Sequence, residues 1–323
     1  MGFGEVFGES WRDYKANFKE MSKVQLLFYI LPYLVVTGIV IFLFYSMGIY
    51  DGVKDFYTQS MSTLQEIISR TVIDPTYSPQ DSDITDQLSI FVTKLLYDSI
   101  PFILISLFLV IISSIFALYG YSGIITSSVK NKKFTFSDAI SEARKNFGKI
   151  LGLFASIFAI SIVYSFVLIL LVSLLRPIGL VLVLPWIIIA VWVGISWSFS
   201  LMFIVAEGKG VFKSLASSWA FVKGRWWKTF GYILLFCLIT LAFSIVMGRV
   251  KWILQVIVLN SYGLPQTLDL YEIFYLTFDE VFNYLAIKET VETLIKLIYN
   301  FLIIPLNILF LKNLYVTWKK QRK

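Results

Sequence analysis

The chain has 323 residues, 58% of them hydrophobic and only 15% charged, and a net charge of +7. Soluble domains carry about 25% charged residues, so this composition excludes an ordinary soluble globule. There is no histidine and one cysteine, Cys237. That removes the commonest general base, the commonest metal ligand and any disulfide within the chain, and no cofactor is expected.

Six apolar stretches follow one another at 24–45, 100–121, 150–174, 180–205, 229–247 and 294–311. Crossing the hydrocarbon core as a helix takes about 20 apolar residues. None of the six carries Asp, Glu, Lys or Arg near its middle, where pumps and proton-coupled transporters usually hold such groups. The expected fold is an all-α membrane protein with six transmembrane helices. They are arranged as three hairpins, each preceded by a cytoplasmic amphipathic interfacial helix. Residues 1–323 form a single integral membrane domain, with pseudo-repeats 1–125, 126–205 and 206–323.

The repeat is carried by the segments ahead of spans one, three and five. They read Phe7, Trp11, Lys15, Phe18; then Phe136, Ile140, Arg144, Phe147; then Leu215, Trp219, Lys223, Trp226. The apolar, apolar, basic, aromatic order recurs at the same spacing, and steps of three and four place the apolar members on one helical face. Aromatic rings favour the membrane interface, and a basic stem can lie along it with its head among phosphates. The candidate lipid headgroup or interface residues are Trp11, Lys15, Arg144, Trp219, Lys223, Arg225, Trp226 and Lys228.

The other connecting segments differ from these. Residues 46–99 read as a long acidic loop with a turn-rich stretch from Asp74 to Asp83. Residues 175–179 read as a tight turn that makes spans three and four an antiparallel hairpin. Residues 248–290 are long and aromatic, with Tyr271, Phe274, Tyr275, Phe278, Phe282 and Tyr284. Pro32, Pro185 and Pro305 lie in or near span interiors, where proline is usually tolerated. Asn300 and Asn307 share a face of span six, and polar groups there serve helix contacts. Cys237 is expected to be a small packing or lipid-facing residue. Glu207, the lone acid of its inner segment, is expected in a helix-terminal loop; a contact to the basic interfacial helix is the sharper alternative.

Charge sets the expected orientation. Segments 1–23, 126–149, 206–228 and 312–323 hold 20 of the 28 Lys and Arg residues but only 7 of the 21 Asp and Glu residues. The positive-inside rule places them in the cytoplasm, so both termini face in, and the expected location is the cell membrane. The basic balance then has a topological origin, and nucleic acid is not an expected partner. No signal peptide is expected, because Met1 to Glu5 lack a basic region ahead of the first apolar run.

The run from Val205-Ala206-Glu207-Gly208-Lys209-Gly210, through Ser214-Leu215-Ala216-Ser217-Ser218-Trp219, to Lys223-Gly224-Arg225-Trp226-Trp227-Lys228 resembles the glycerophosphoryl diester phosphodiesterase membrane domain and related uncharacterised polytopic families. Pro305, Leu314-Tyr315 and Trp318-Lys319-Lys320 resemble the ending of those domains. The resemblance implies a membrane fold and no catalytic residues, and the soluble barrel that some members carry is not expected in this chain. Serine-nucleophile, phosphate-loop and zinc-protease motifs are absent from the sequence.

The function expected is therefore non-enzymatic: lipid-associated transport, membrane organisation or scaffolding. Membrane lipids are the expected partners, with a membrane protein as a further possible partner. The alternative is a channel or facilitator for a small solute. A lateral apolar groove favours lipid handling, and a polar lumen favours a facilitator.

Overall fold

The computed structural model describes residues 2–73, 81–130, 134–175, 181–268 and 276–321. Its elements are α1 (Phe3–Gln25), a π-helical turn (Leu26–Ile30), α2 (Leu31–Ser46), α3 (Ile49–Ile73), α4 (Asp81–Lys130), α5 (Phe136–Leu174), α6 (Val183–Trp197), α7 (Ser200–Glu207), α8 (Val211–Val222), α9 (Trp226–Ser261) and α10 (Phe278–Lys320). Among the described residues there is no strand. Six helical stretches are long and apolar enough to cross a membrane: Phe3–Ser46, Val92–Lys130, Phe136–Leu174, Val183–Glu207, Trp226–Ser261 and Phe278–Lys320. They contain five of the six apolar runs of the sequence whole and the fourth from residue 183 onward, and the chain is an all-α protein with the character of a multi-pass membrane protein. Phe42, Phe108 and Phe158 stay 68%, 62% and 67% exposed. So much bare apolar surface is stable against lipid and not against water.

Two of the expected interfacial helices are not separate. α1 continues through the π-helical turn into α2, and α5 runs unbroken from Phe136 into its apolar half. No glycine or proline precedes Pro32 at the first junction, and the second continues as helix through Gly148 and Gly152. Pro32 has no N–H to donate, and the π-helical turn immediately before it is the local adjustment that accommodates it. Pro101 and Pro305 sit inside continuous helices. Pro185 is in the first turn of α6, where an N–H would have no helical acceptor. Of the three, only α8 is a separate short helix.

The segments 46–99 and 248–290 are more helical than the sequence suggests. Instead of one loop over 46–99, α3 covers Ile49–Ile73 and α4 begins at Asp81. Beyond Gly52, α3 has no glycine or proline, and the Arg70–Glu66 ion pair spans one turn of it. Residues 248–290 likewise belong partly to α9 and α10. The turn-rich residues 74–80, the turn at 176–179, and Tyr271, Phe274 and Tyr275 lie outside the described residues.

The chain folds as two compact units, neither of them continuous in sequence. The first comprises Met1–Ile30, Ile115–Ile245 and Ile298–Lys323. Its core is formed by residues such as Val6, Met21, Ile124, Ile150, Phe199, Leu309 and Trp318. α4 meets α5 closely in it: a Cβ on Gly123 would lie 2.7 Å from the Ala139 carbonyl oxygen. Within this unit the three interfacial segments bury the same register. Val6, Ser10 and Tyr14, then Ala139, Ala143 and Asn146, then Ser214, Ser218 and Val222 are buried. Each is one residue ahead of a position in the recurring sequence pattern. The bulky members of that pattern, Leu215 excepted, are left half-buried or exposed. Small residues face inward because they let helix backbones approach.

The second unit comprises Leu31–Ser114 and Val246–Leu297. Its centre is aromatic: the rings of Phe44 and Phe282 stack 6.1 Å apart, and Tyr50 meets Phe282 edge-on at 5.0 Å. The Asp279 carboxylate accepts hydrogen bonds from the Tyr50 hydroxyl at 2.5 Å and from Lys54 Nζ at 3.0 Å. The Asp279 contact, with some burial, pushes the Tyr50 hydroxyl up to about 12. Lys251 pairs with Glu292 at 3.2 Å, tying α9 to α10.

Candidate functional site

The region around α7, α8 and the start of α9 is built on a broken helix. α6 stops at Trp197 and α7 starts at Ser200. The Phe199 N–H leaves the helical ladder and donates to Ser218 Oγ at 3.1 Å. Ser218 Oγ in turn donates to the Ser196 carbonyl at 2.7 Å. Ser196, Phe199 and Ser218 are all buried, where an unpaired backbone group is costly. One hydroxyl from α8 thus satisfies both sides of the break.

The return turn depends on glycine. Gly208 closes α7 at φ +68°, its N–H donating to the Ile204 carbonyl at 3.0 Å. A side chain is disfavoured in that left-handed conformation. Glu207, just before it, is clamped on both oxygens. One accepts from Tyr315 at 2.8 Å and from Lys319 at 2.7 Å; the other faces Lys209 at 2.8 Å. Glu207 does sit at a helix terminus, and its partners are the turn itself and α10. A second glycine, Gly224 at φ +84°, turns the chain between α8 and α9.

These two turns bring two of the candidate residues, Trp219 and Trp226, against Trp192. The Trp219 ring meets Trp192 edge-on at 4.4 Å. Trp226 Nε1 donates to the Trp192 carbonyl at 3.3 Å, and its ring stacks on Phe230 at 5.4 Å. Arg225 lies 5.9 Å from the Trp318 ring centroid and donates to the Trp318 carbonyl at 3.4 Å. Lys228 Nζ sits 5.9 Å over the Tyr232 ring. Lys223 is exposed on the turn. The remaining candidates stand outside this group: Lys15 rests its ammonium 5.4 Å from the exposed Trp11 ring on α1, and Arg144 is exposed on α5.

Two grooves open laterally on the first unit. One, between α6 and α9, has a volume of about 580 Å³ and is lined by Ile187, Ile188, Ile189, Val191, Trp192, Trp226, Trp227 and Phe230. Trp227 is 77% exposed. The other, between α5 and α6, has a volume of about 430 Å³ and is lined by Ala159, Ile160, Val163, Tyr164, Val167 and Trp186. The Tyr164 hydroxyl donates to the Trp186 carbonyl and its ring stacks on Trp186 at 4.3 Å. Among the described residues, no Asp, Glu, Lys or Arg lines either groove. The described lining of both is apolar and aromatic.

Sequence reasoning found Trp219 and Trp226 through the interfacial pattern, but not Trp192, Phe230 or Ser218. Trp192 sits within an apolar run and looks like any other span residue. Ser218 carries no local signal, because the backbone it satisfies is 19 residues earlier.

The chain belongs to a family described as a domain of unknown function (DUF7847), which matches residues 87–315. No curated protein and no solved structure matches it.

Proposed function

We propose that the protein is a non-enzymatic, lipid-associated membrane protein that holds acyl chains in lateral grooves and serves lipid transport or membrane organisation. The observation that supports this reading is the pair of outward-opening grooves whose described lining is apolar and aromatic. A water-filled lumen would instead need converging polar groups.

The basic inner segments give the proposed orientation, with both termini in the cytoplasm of the cell. In a chain with Cys237 replaced, a cysteine at position 268 should react with an impermeant reagent outside intact cells, and one at position 320 should not. The reverse pattern would overturn the orientation. The shared buried register of α1, α5 and α8 supports reading the chain as three related units within one membrane domain. The likeness of 205–231 to the glycerophosphoryl diester phosphodiesterase membrane domain supports a distant kinship. A profile built from that domain and this family together tests it: kinship requires Glu207, Gly208 and Trp219 to align without gaps.

The functional reading is tested by phospholipid retention. The full chain, extracted in mild detergent and washed extensively, should retain phospholipid at one molecule or more per chain. A folded preparation that carries no phospholipid, yet conducts a small solute after reconstitution, would refute lipid handling in favour of a facilitator.

A further inference from the structure

Buried polar side-chain atoms almost always find hydrogen-bond partners. Four exceptions lie on two adjoining helices of the first unit. Ser22 and Gln25 on α1, and Tyr121 and Ser128 on α4, each bury a hydroxyl or amide nitrogen with no partner among the described residues. Gln25 as a whole is only 2% exposed. Ser22, Gln25 and Tyr29 follow one another at steps of three and four along one face, and Tyr121 and Ser128 share a face of α4. The Tyr29 and Tyr121 rings meet at 6.0 Å, which sets the two faces side by side. The chain direction agrees. α4 passes Phe28 at Gly120, and just beyond its end the Phe134 N–H donates to Asn17 Oδ1 at 3.3 Å. The orphaned stretch of α4 therefore runs alongside that of α1.

The two flanks of α1 are held differently. Toward α4 the contacts are packing: Phe28 meets Tyr119 at 5.2 Å between ring centroids, and a Cβ on Gly120 would lie 2.6 Å from the Phe28 Cβ. Toward α10 they are hydrogen bonds and an ion pair. Lys312 pairs with Asp13 at 2.8 Å, Asn313 donates to Ser10 and to Asp13 at 3.2 Å, and Asn300 donates to the Tyr29 hydroxyl at 2.9 Å. A buried donor without an acceptor costs free energy while the helices are together and regains its hydrogen bonds when they part. The same stretch of α1 leads into the π-helical turn Leu26–Ile30, a form common at functional sites.

We propose that the seam between α1 and α4 is a conformational gate. The 22–29 stretch keeps its bonds to α10 and parts from α4, which hydrates Ser22, Gln25, Tyr121 and Ser128. Opening cuts a polar slit into a wall of helices that is otherwise apolar. The gate does not depend on what the lateral grooves hold.

The test uses the full chain in mild detergent. Gln25→Met and Tyr121→Phe delete orphaned groups at nearly constant shape. Each should raise the unfolding temperature by roughly 2–4 °C, against the usual sign for deleting a buried polar group. A fall would show that these groups are bonded in the folded protein and would overturn the gate. Opening itself is read by thiol modification once Cys237 is replaced. Ser128→Cys is compared with Ser214→Cys, since both positions are buried, at 7% and 0% exposed, and Ser214 lies on α8 away from the seam. The Ser128→Cys chain should react roughly tenfold faster, as expected for a local opening. Adding Gln25→Met and Tyr121→Phe should slow it toward the Ser214→Cys rate. Hydrogen exchange needs no substitution: in the wild-type chain, amides of 22–29 and 119–128 should exchange ahead of those of 214–222. Exchange of the three segments in step, or a Ser128→Cys rate unmoved by the two deletions, would refute the gate.

Discussion

Ser218→Ala is expected to destabilise the protein by about 2–5 kcal/mol, an outsized effect for the loss of one oxygen. That oxygen accepts from the Phe199 N–H and donates to the Ser196 carbonyl. Alanine fits the space but leaves two buried backbone groups without partners, each costing about 1–3 kcal/mol. Water has poor access, since Ser196, Phe199 and Ser218 are 3%, 0% and 0% exposed. Ser218→Thr retains a hydroxyl and should recover part of the loss. Thermal unfolding in detergent measures both variants. A change below about 0.5 kcal/mol for Ser218→Ala would show that the break between α6 and α7 is satisfied some other way.

Gly123→Ala should also destabilise, against the usual sign of a glycine-to-alanine change in a helix. At an open helical position alanine gains about 0.5–1 kcal/mol. At Gly123 the new methyl would sit 2.7 Å from the Ala139 carbonyl oxygen and 3.4 Å from the Ala143 Cβ. The obstacle is backbone, which cannot rotate away, so α4 and α5 must separate. Overpacking of this kind costs about 1–3 kcal/mol, and Gly123→Leu should prevent stable folding. Gly148 lies in α5 with nothing within 4 Å of its would-be Cβ. Gly148→Ala is therefore the internal comparison and should be neutral or stabilising. Equal unfolding temperatures for Gly123→Ala and Gly148→Ala would contradict the close approach of α4 to α5.

The spans were legible because about 20 apolar residues in a row have few fates besides a membrane helix. That Trp219 and Trp226 come together was legible because they are close in sequence and fall in one recurring pattern. Three features were not. The break at Ser198–Phe199 has no glycine or proline to announce it; its stability comes from Ser218 on another helix. The buried faces of α1, α5 and α8 were hidden because the recurring pattern followed the bulky residues. The core instead takes the smaller neighbours, Ser10, Ala139 and Ser218. The helices α3 and early α4 were masked by the acidic, proline-containing stretch between them, which drew the whole of 46–99 into one loop. For the helix break and the buried faces, a tertiary contact outweighed the local signal.

Contact between the Trp192 groove and lipid acyl chains is the centre of this account, and tryptophan quenching measures it most directly. The protein is reconstituted in phosphatidylcholine brominated in its acyl chains, and emission is compared between wild type and Trp227→Phe. The same pair is compared with aqueous iodide. The emission lost with Trp227 should be strongly quenched by the brominated lipid and little affected by iodide. Emission from Trp227 that iodide quenches and brominated lipid does not would place the groove in water and contradict a lipid-holding role.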